Sequence, residues 1–150
     1  MHNQMLVSLA TEGPAAVHAA TGLTAWGWLL VALPLAGAAL LLLGGRATDS
    51  FGPILATVLS WAAFVLGAAI FLGMIGSDAG ERASRLELYE WIPAGAFEVT
   101  AGMLIDPLSI SFVLLITFVG SLIHVYSLGY MEHDPDKRRF FAYLNLFVAA

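Results

Sequence analysis

The chain of 150 residues is 59% hydrophobic and only 11% charged, whereas soluble domains carry about 25% charged residues. This composition excludes an ordinary soluble domain and predicts an integral membrane protein with several spanning helices. The formal net charge of −5 argues against a nucleic-acid-binding surface. Because the sequence contains no cysteine, disulfides, thiolate metal sites and thiol nucleophiles are excluded.

Residues 1–25 contain no Lys or Arg, so they lack the positive n-region of a secretory signal peptide. We therefore predict a retained, weakly structured leader on the outer side of the membrane. The first apolar run, 26–43, opens with Trp26 and Trp28, which are typical anchors at the bilayer interface. Pro34 is expected to kink this helix. A second uncharged run predicts a span at 54–76.

Residues 97–105 alternate apolar and polar or small side chains, the period-2 pattern of a half-buried strand. Residues 86–92 alternate less cleanly, and the insert Pro93-Ala94-Gly95-Ala96 between the two segments is typical of a turn. The pattern predicts an extramembrane β-hairpin over 86–105.

Asp106-Pro107 predicts the start of a third span at 107–129, because Asp is a favoured N-cap and Pro a favoured first helical residue. Asp134-Pro135 repeats this pair ahead of a fourth helix, expected over 137–150. Since a span needs about 20 residues, this helix is expected to be truncated. The predicted fold is an all-α polytopic membrane protein with three complete transmembrane helices, a truncated fourth, and the hairpin between the second and third; residues 26–150 form its transmembrane part.

The distribution of basic residues predicts the orientation. The first and third loops lie on one side and carry Arg46, Lys137, Arg138 and Arg139, whereas the second loop carries Arg82 and Arg85. The positive-inside rule places the first and third loops in the cytoplasm. The N-terminus and the hairpin are then expected outside the cell.

His124, near the cytoplasmic end of the third span, is the nearest candidate for an ionisable residue within the membrane. Intramembrane ionisable residues often mark ion pathways, and histidine can relay protons near neutral pH. Three interpretations remain open: an interhelical hydrogen bond, a place on a proton path, or a metal ligand. The sequence offers no second ligand at metal-binding spacing, so we predict no metal site.

The remaining candidates are charged residues at the ends of helices. Asp106 is interpreted as an N-cap, with a proton port as the alternative. A second group forms either a solvated loop that sets the orientation or a contact surface for a partner subunit; its members are Asp134, Asp136, Lys137, Arg138 and Arg139. Asn145, in the fourth helix, is expected to form a hydrogen bond across the bundle or to order water. No catalytic group is predicted in this chain.

Four strings resemble the antiporter-like subunits of respiratory complex I, the NADH–quinone oxidoreductase. They are Leu-Ile-Asp-Pro-Leu-Ser at 104–109, Leu-Ile-His-Val-Tyr-Ser at 122–127, Tyr-Met at 130–131 and Arg-Phe-Phe-Ala-Tyr-Leu-Asn-Leu-Phe at 139–147. The close resemblance covers about residues 86–150. Residues 26–75 fit only the order and length of the family's first two helices.

The resemblance implies a proton-translocating membrane-arm subunit in a bacterial inner membrane, with the neighbouring antiporter-like subunit and the lipid bilayer as partners. It implies that NADH, FMN, iron–sulfur clusters and quinone bind to other subunits, and that this chain binds no cofactor. The family's buried Lys and Glu residues lie from the fifth helix onward, so only the histidine of the third helix corresponds to a residue here, His124. Alternative functions are the large subunit of a Mrp-type sodium/proton antiporter and a structural scaffold.

Overall fold

A computed structural model describes residues 17–78, 81–94 and 97–150. The helices are α1 (Leu29–Leu43), α2 (Gly52–Ile75), α3 (Pro107–Tyr130) and α4 (Lys137–Ala149). The strands are β1 (His18–Ala19), β2 (Ser84–Ala94) and β3 (Phe97–Ile105). Short 3₁₀ helices at Gly22–Trp26 and Gly45–Thr48 precede α1 and α2.

Three helical stretches are long and apolar enough to cross a membrane: Gly22–Leu43, Gly52–Ile75 and Pro107–Tyr130. The three predicted spans are therefore confirmed as candidates, with bounds that differ by a few residues. The first stretch begins as a 3₁₀ helix, so its regular α-helix starts only at Leu29. Helix α4 begins at Lys137 and has 13 residues, and its continuation into a fourth span stays a prediction.

Helix α2 buries mainly small and polar residues and exposes several of its large apolar ones. In α2, Ser60 and Ala63 are fully buried, whereas Val65 and Leu72 are 61% and 68% exposed. In lipid, apolar exposure is not penalised, and small inward residues let helices pack closely. The pattern is that expected of helices surrounded by hydrocarbon.

Strands β2 and β3 pair antiparallel from Ser84 with Ile105 to Ala94 with Phe97, with two irregularities in register. The two paired segments agree with the predicted hairpin, although Gly95 and Ala96 of the predicted turn lie outside the described residues. An all-α fold is too narrow a description, because the fold is mostly helical with a small sheet. That the sheet lies outside the membrane stays a prediction.

The predicted leader is only partly described, since residues 1–16 lie outside the described ranges. Contrary to the expectation of weak structure, His18 and Ala19 pair parallel with Ser84 and Arg85. The amide of Ala20 donates to the carbonyl of Arg85 at 2.9 Å, and the hydroxyl of Thr24 donates to the carbonyl of Thr21 at 2.8 Å. A two-residue strand has no alternation from which it could be predicted.

Two apolar clusters lie towards opposite ends of the bundle. The cluster near the sheet comprises Leu30, Ile70, Met74, Ile105 and Ile110. The cluster near the opposite end comprises Leu41, Ala56, Phe141 and Ala142. Along α2 and α3, buried polar residues occupy the turns between these clusters, and they form the candidate site.

Candidate functional site

Helix α3 directs a row of small and polar residues into the bundle at intervals of about one turn. The buried members include Thr117, Gly120, Ser121, His124 and Ser127. Residues three or four apart share one face of a helix, so this spacing forms a single stripe. The intervening Ile123 and Tyr126 are exposed, which leaves the stripe facing α2 and α4.

The imidazole of His124 is fully buried. Its Nδ1 lies 2.8 Å from the carbonyl oxygen of Gly120, one turn earlier in the same helix. Because a carbonyl oxygen can only accept, Nδ1 must carry the hydrogen, and in the neutral ring Nε2 holds the lone pair. Nε2 has no hydrogen-bond partner among the described residues. His124 therefore presents an unused proton acceptor inside the bundle.

Asn145 of α4 lies beside this imidazole and is also fully buried. Neither Oδ1 nor Nδ2 of its carboxamide has a hydrogen-bond partner within the part of the chain that the structure describes. Its position depends on Gly37 of α1, where an added Cβ would collide with Nδ2 of Asn145. A buried polar group without a partner costs about 1–3 kcal/mol. The hydrogen bond of Asn145 across the bundle stays a prediction, and the imidazole of His124 is the polar group beside its carboxamide.

A second polar contact lies one turn away from His124. The hydroxyls of Ser60 in α2 and Ser121 in α3 are 2.9 Å apart, and both side chains are fully buried. A hydroxyl can donate or accept by rotation, so this pair can reverse its polarity without moving the helices. We call Ser60, Ser121, His124 and Asn145 the polar cluster.

The polar cluster can hold and reorient a proton, because it combines an imidazole with a free acceptor nitrogen and hydroxyls that rotate. Nδ1 of His124 bonds its own helix, and the interhelical bond predicted for this residue stays a prediction, with Asn145 of α4 as the neighbouring polar group. No group of three potential metal ligands occurs in the described ranges. The interpretation as part of a proton path remains a prediction.

Asp106 lies at the opposite end of α3, about 27 Å along the axis from His124 at 1.5 Å per residue. Its Oδ1 accepts from the amide of Ser109 at 2.7 Å, while its own amide donates to the Ser109 hydroxyl at 2.9 Å. These two bonds form a capping box, so the predicted N-cap is found. The amide and the hydroxyl of Ser109 lower the pKa of Asp106.

The prediction that Asp134 caps α4 is wrong. The N-cap is Asp136, without a side-chain capping bond. Asp134 instead accepts from the Asp136 amide at 2.7 Å and shapes the turn before the helix. A carboxylate bonding a backbone amide two residues on is a common turn device, which the sequence does not distinguish from a cap.

The interpretation that Arg138 lies in a solvated loop is wrong, because its side chain is only 15% exposed. Its Nε donates to Asp49 at 2.8 Å and its Nη1 donates to the carbonyl of Leu41 at 2.6 Å. Arg139 is 62% exposed and lies 3.6 Å from Asp136. Lys137 donates to the carbonyl of Glu132 at 3.4 Å. Arg138 is thus a contact within the chain, whereas Arg139 is paired only with Asp136 at the surface, and its role as a partner contact stays a prediction.

Sequence reasoning missed two contributors to these contacts. Ser60 follows the buried Thr57 by three residues in α2, a spacing that could have indicated an inward polar face. Asp49 follows a short 3₁₀ helix, and no local pattern relates it to Arg138.

A family profile described as "NADH-Ubiquinone oxidoreductase (complex I), chain 5 N-terminus" matches residues 91–141. This range contains β3, all of α3 and the first turn of α4. It therefore includes Ser121 and His124 of the polar cluster but not Ser60 or Asn145.

Among the most similar curated proteins is NADH-quinone oxidoreductase subunit L of Mycobacterium tuberculosis, 58% identical over 127 residues. That alignment covers 85% of this chain and 20% of the relative. NADH-ubiquinone oxidoreductase chain 5 of Chondrus crispus is 36% identical over 80% of this chain and 18% of its own length. NAD(P)H-quinone oxidoreductase chain 5 of Synechocystis is 35% identical over 82% and 18%. The chain thus spans about a fifth of the length of these relatives.

Proposed function

Since the chain belongs to the antiporter-like subunits of respiratory complex I, we propose that it forms part of a proton-translocating membrane-arm subunit of NADH–quinone oxidoreductase. In this proposal, the neighbouring membrane-arm subunits and the lipid bilayer are its partners. NADH, FMN, iron–sulfur clusters and quinone bind to other subunits, and electron transfer to quinone occurs there.

The observation that supports this proposal for the chain's own residues is the state of His124. Its ring is fully buried, and Nε2 has no hydrogen-bond partner among the described residues. An ionisable residue inside a membrane bundle is a functional candidate by default, because burial of its charged form is costly.

The Gly120 carbonyl holds the ring so that Nε2 is the atom that takes up and releases a proton. Asn145 lies beside the ring and can orient towards either protonation state, because a carboxamide carries both a donor and an acceptor. The Ser60–Ser121 pair offers the next rotatable hydroxyls. The cluster would thereby form one station of a longer path.

The orientation is proposed from the basic residues. Arg138 bonds Asp49 of the first loop, which is consistent with the first and third loops lying at the same end of the bundle. The positive-inside rule then favours a cytoplasmic position for this end, with β1–β3 and the N-terminus outside. Helix α4 would continue into a fourth span of a bacterial inner-membrane protein.

The test uses His124→Gln in the assembled enzyme, in inverted membrane vesicles. Glutamine keeps hydrogen-bonding capacity but does not titrate near neutral pH. We expect fewer protons translocated per NADH oxidised, with NADH oxidation by added quinone retained. His133→Gln is the matched control, because His133 is an exposed loop residue. An unchanged proton ratio in His124→Gln, with assembly verified, would reject a role for His124 in translocation.

A further inference from the structure

A cavity of about 430 Å³ lies at the sheet end of the bundle. Three separate segments form its wall: β1, the 3₁₀ helix before α1, and the C-terminal end of α2 with the residues that follow it. Its volume falls within the range of about 300–1,000 Å³ typical of small-ligand sites. The polar cluster lies elsewhere, between the two apolar clusters.

One part of this cavity is charged and another is apolar. Arg82 and Glu81 line the charged part, Ile70 and Met74 of α2 line the apolar part, and His18 also lines the cavity. Arg82 is held by a 3.1 Å bond from its Nε to the carbonyl of Ser77, which leaves its terminal guanidinium nitrogens available. Neither Arg82 nor Glu81 forms an ion pair with another side chain among the described residues.

The cavity also lies close to the expected level of the lipid headgroups. Trp26 ends the 3₁₀ helix whose Leu23 and Thr24 line the cavity, and it is 55% exposed. Trp28, at the start of α1, is 41% exposed. Exposed tryptophans are enriched at the boundary between hydrocarbon and headgroups. A ligand here would meet water and lipid at the same time.

We propose that this cavity binds the phosphoethanolamine headgroup of a membrane phospholipid. The phosphate would meet the guanidinium of Arg82 and the imidazole of His18, since arginine matches phosphate oxygens with directed N–H donors. The ammonium would meet the carboxylate of Glu81, which only accepts when ionised. The acyl chains would leave into the bilayer past Leu23 and Gly73, the exposed residues of the cavity wall, above the buried Ile70 and Met74. Phosphocholine would bind less well, because its quaternary nitrogen has no N–H to donate.

Gly73 provides a way to fill the cavity without changing its charge. It lines the cavity, and an added Cβ would meet no atom within 4 Å. Gly73→Leu should therefore occupy the space of the headgroup while improving local helix propensity. Gly129 of α3 has the same open surroundings at the opposite end of the bundle, so Gly129→Leu is a matched control.

The experiment uses the assembled complex in vesicles of phosphatidylcholine with added phosphatidylethanolamine that carries a photoactivatable diazirine in one acyl chain. Crosslinked peptides are quantified by mass spectrometry. We expect crosslinks near Leu23 and Gly73 that fall about fivefold in Arg82→Gln, the size expected for losing one charge-assisted contact at a partly exposed site. Arg85→Gln, at an exposed arginine three residues away, should leave the yield unchanged.

Further variants and competitors identify the headgroup. Gly73→Leu should abolish these crosslinks and Gly129→Leu should preserve them. Glu81→Gln should weaken competition by unlabelled phosphatidylethanolamine without weakening competition by phosphatidylglycerol. Equal yields in Arg82→Gln and Arg85→Gln, or retained crosslinks in Gly73→Leu, would overturn the proposal. Full displacement by water-soluble phosphoethanolamine or inorganic phosphate would also overturn it, because the ligand would then be a soluble phosphate compound.

Discussion

Arg138 of α4 bonds Asp49 across 89 positions of the chain, with Nε and Oδ1 2.8 Å apart. The same guanidinium donates from Nη1 to the carbonyl of Leu41 at 2.6 Å, within the last turn of α1. The last four carbonyls of a helix have no partner within it, and a cation there also interacts favourably with the helix dipole. One side chain thus joins the end of α1, the first loop and the start of α4.

Arg138→Gln should destabilise the fold by about 1–2 kcal/mol, because it removes hydrogen bonds to a charged group and a helix cap. The ion pair itself contributes only part of this loss, since the Asp49 side chain is 47% exposed and screened by solvent. The free energy of unfolding in mixed lipid–detergent micelles measures the effect. Arg139→Gln, at a pair 3.6 Å apart and 62% exposed on the Arg side, should change it by less than about 0.5 kcal/mol. Equal losses in the two variants would contradict the assignment.

The sequence alone does not predict which of the three basic residues at 137–139 packs inside the chain. The triplet 137–139 predicts the orientation of the chain by composition alone, but all three residues are equivalent in that argument. Only the packing of α4 against α1 decides that Arg138 turns inward and Arg139 outward. The helix bounds, in contrast, follow from apolar runs with local start signals, and Asp106 could be assigned because its partner Ser109 is three residues away.

The sheet likewise contains one strand that the sequence predicts and one pairing that it does not. The alternation over 97–105 predicts β3 because it is a local, periodic signal. The pairing of His18 with Ser84 joins distant segments through backbone groups, which carry no side-chain pattern. Within the polar cluster, His124 and Asn145 stand out in apolar helices, but their missing hydrogen bonds depend on the positions of several helices and could not be read from the sequence.

Asp106→Ala should lower the free energy of unfolding by about 1 kcal/mol at neutral pH, the usual cost of losing an N-cap. The bonds from Ser109 lower the pKa of Asp106 in the folded state. Its contribution is therefore complete above the unfolded-state pKa and is lost as the pH falls through the lower folded-state pKa.

A pH series tests this linkage. The difference in unfolding free energy between wild type and Asp106→Ala should shrink below about pH 4, as the wild-type carboxylate becomes protonated. Asp106→Asn is the control, because asparagine caps helices nearly as well but does not titrate. A difference that stays constant across this range would show that the charge of Asp106 contributes nothing to the cap.

Gly37→Ala should destabilise the packing of α4 on α1 by about 1–3 kcal/mol, as overpacking typically does. The added methyl would collide with Nδ2 of Asn145 and lie 3.2 Å from its Cγ. Gly67→Ala is the control, because its nearest neighbour is 3.5 Å away, and alanine favours helix by up to about 1 kcal/mol over glycine.

The double variant Gly37→Ala with Asn145→Ala isolates the contact. Since the collision requires the carboxamide, the double variant should recover most of the stability that Gly37→Ala loses, which gives a non-additive coupling. Additive effects of the two substitutions would mean that Gly37 is needed for another reason, such as its approach to Leu59.

The Ser60–Ser121 pair should contribute little to stability. Interhelical hydrogen bonds in membranes average about 0.6 kcal/mol in double-mutant cycles, and the two hydroxyls are 2.9 Å apart with no exposure. Ser60→Ala and Ser121→Ala should therefore each assemble normally and show a coupling near this value. Ser127→Ala, at another buried hydroxyl of α3, should show no coupling to Ser60→Ala.

If the pair serves proton transfer through the polar cluster, Ser121→Ala should also lower proton translocation per NADH oxidised. A normal proton ratio in that variant, together with the expected coupling energy, would limit the pair to helix packing and leave His124 and Asn145 as the remaining candidates in the cluster.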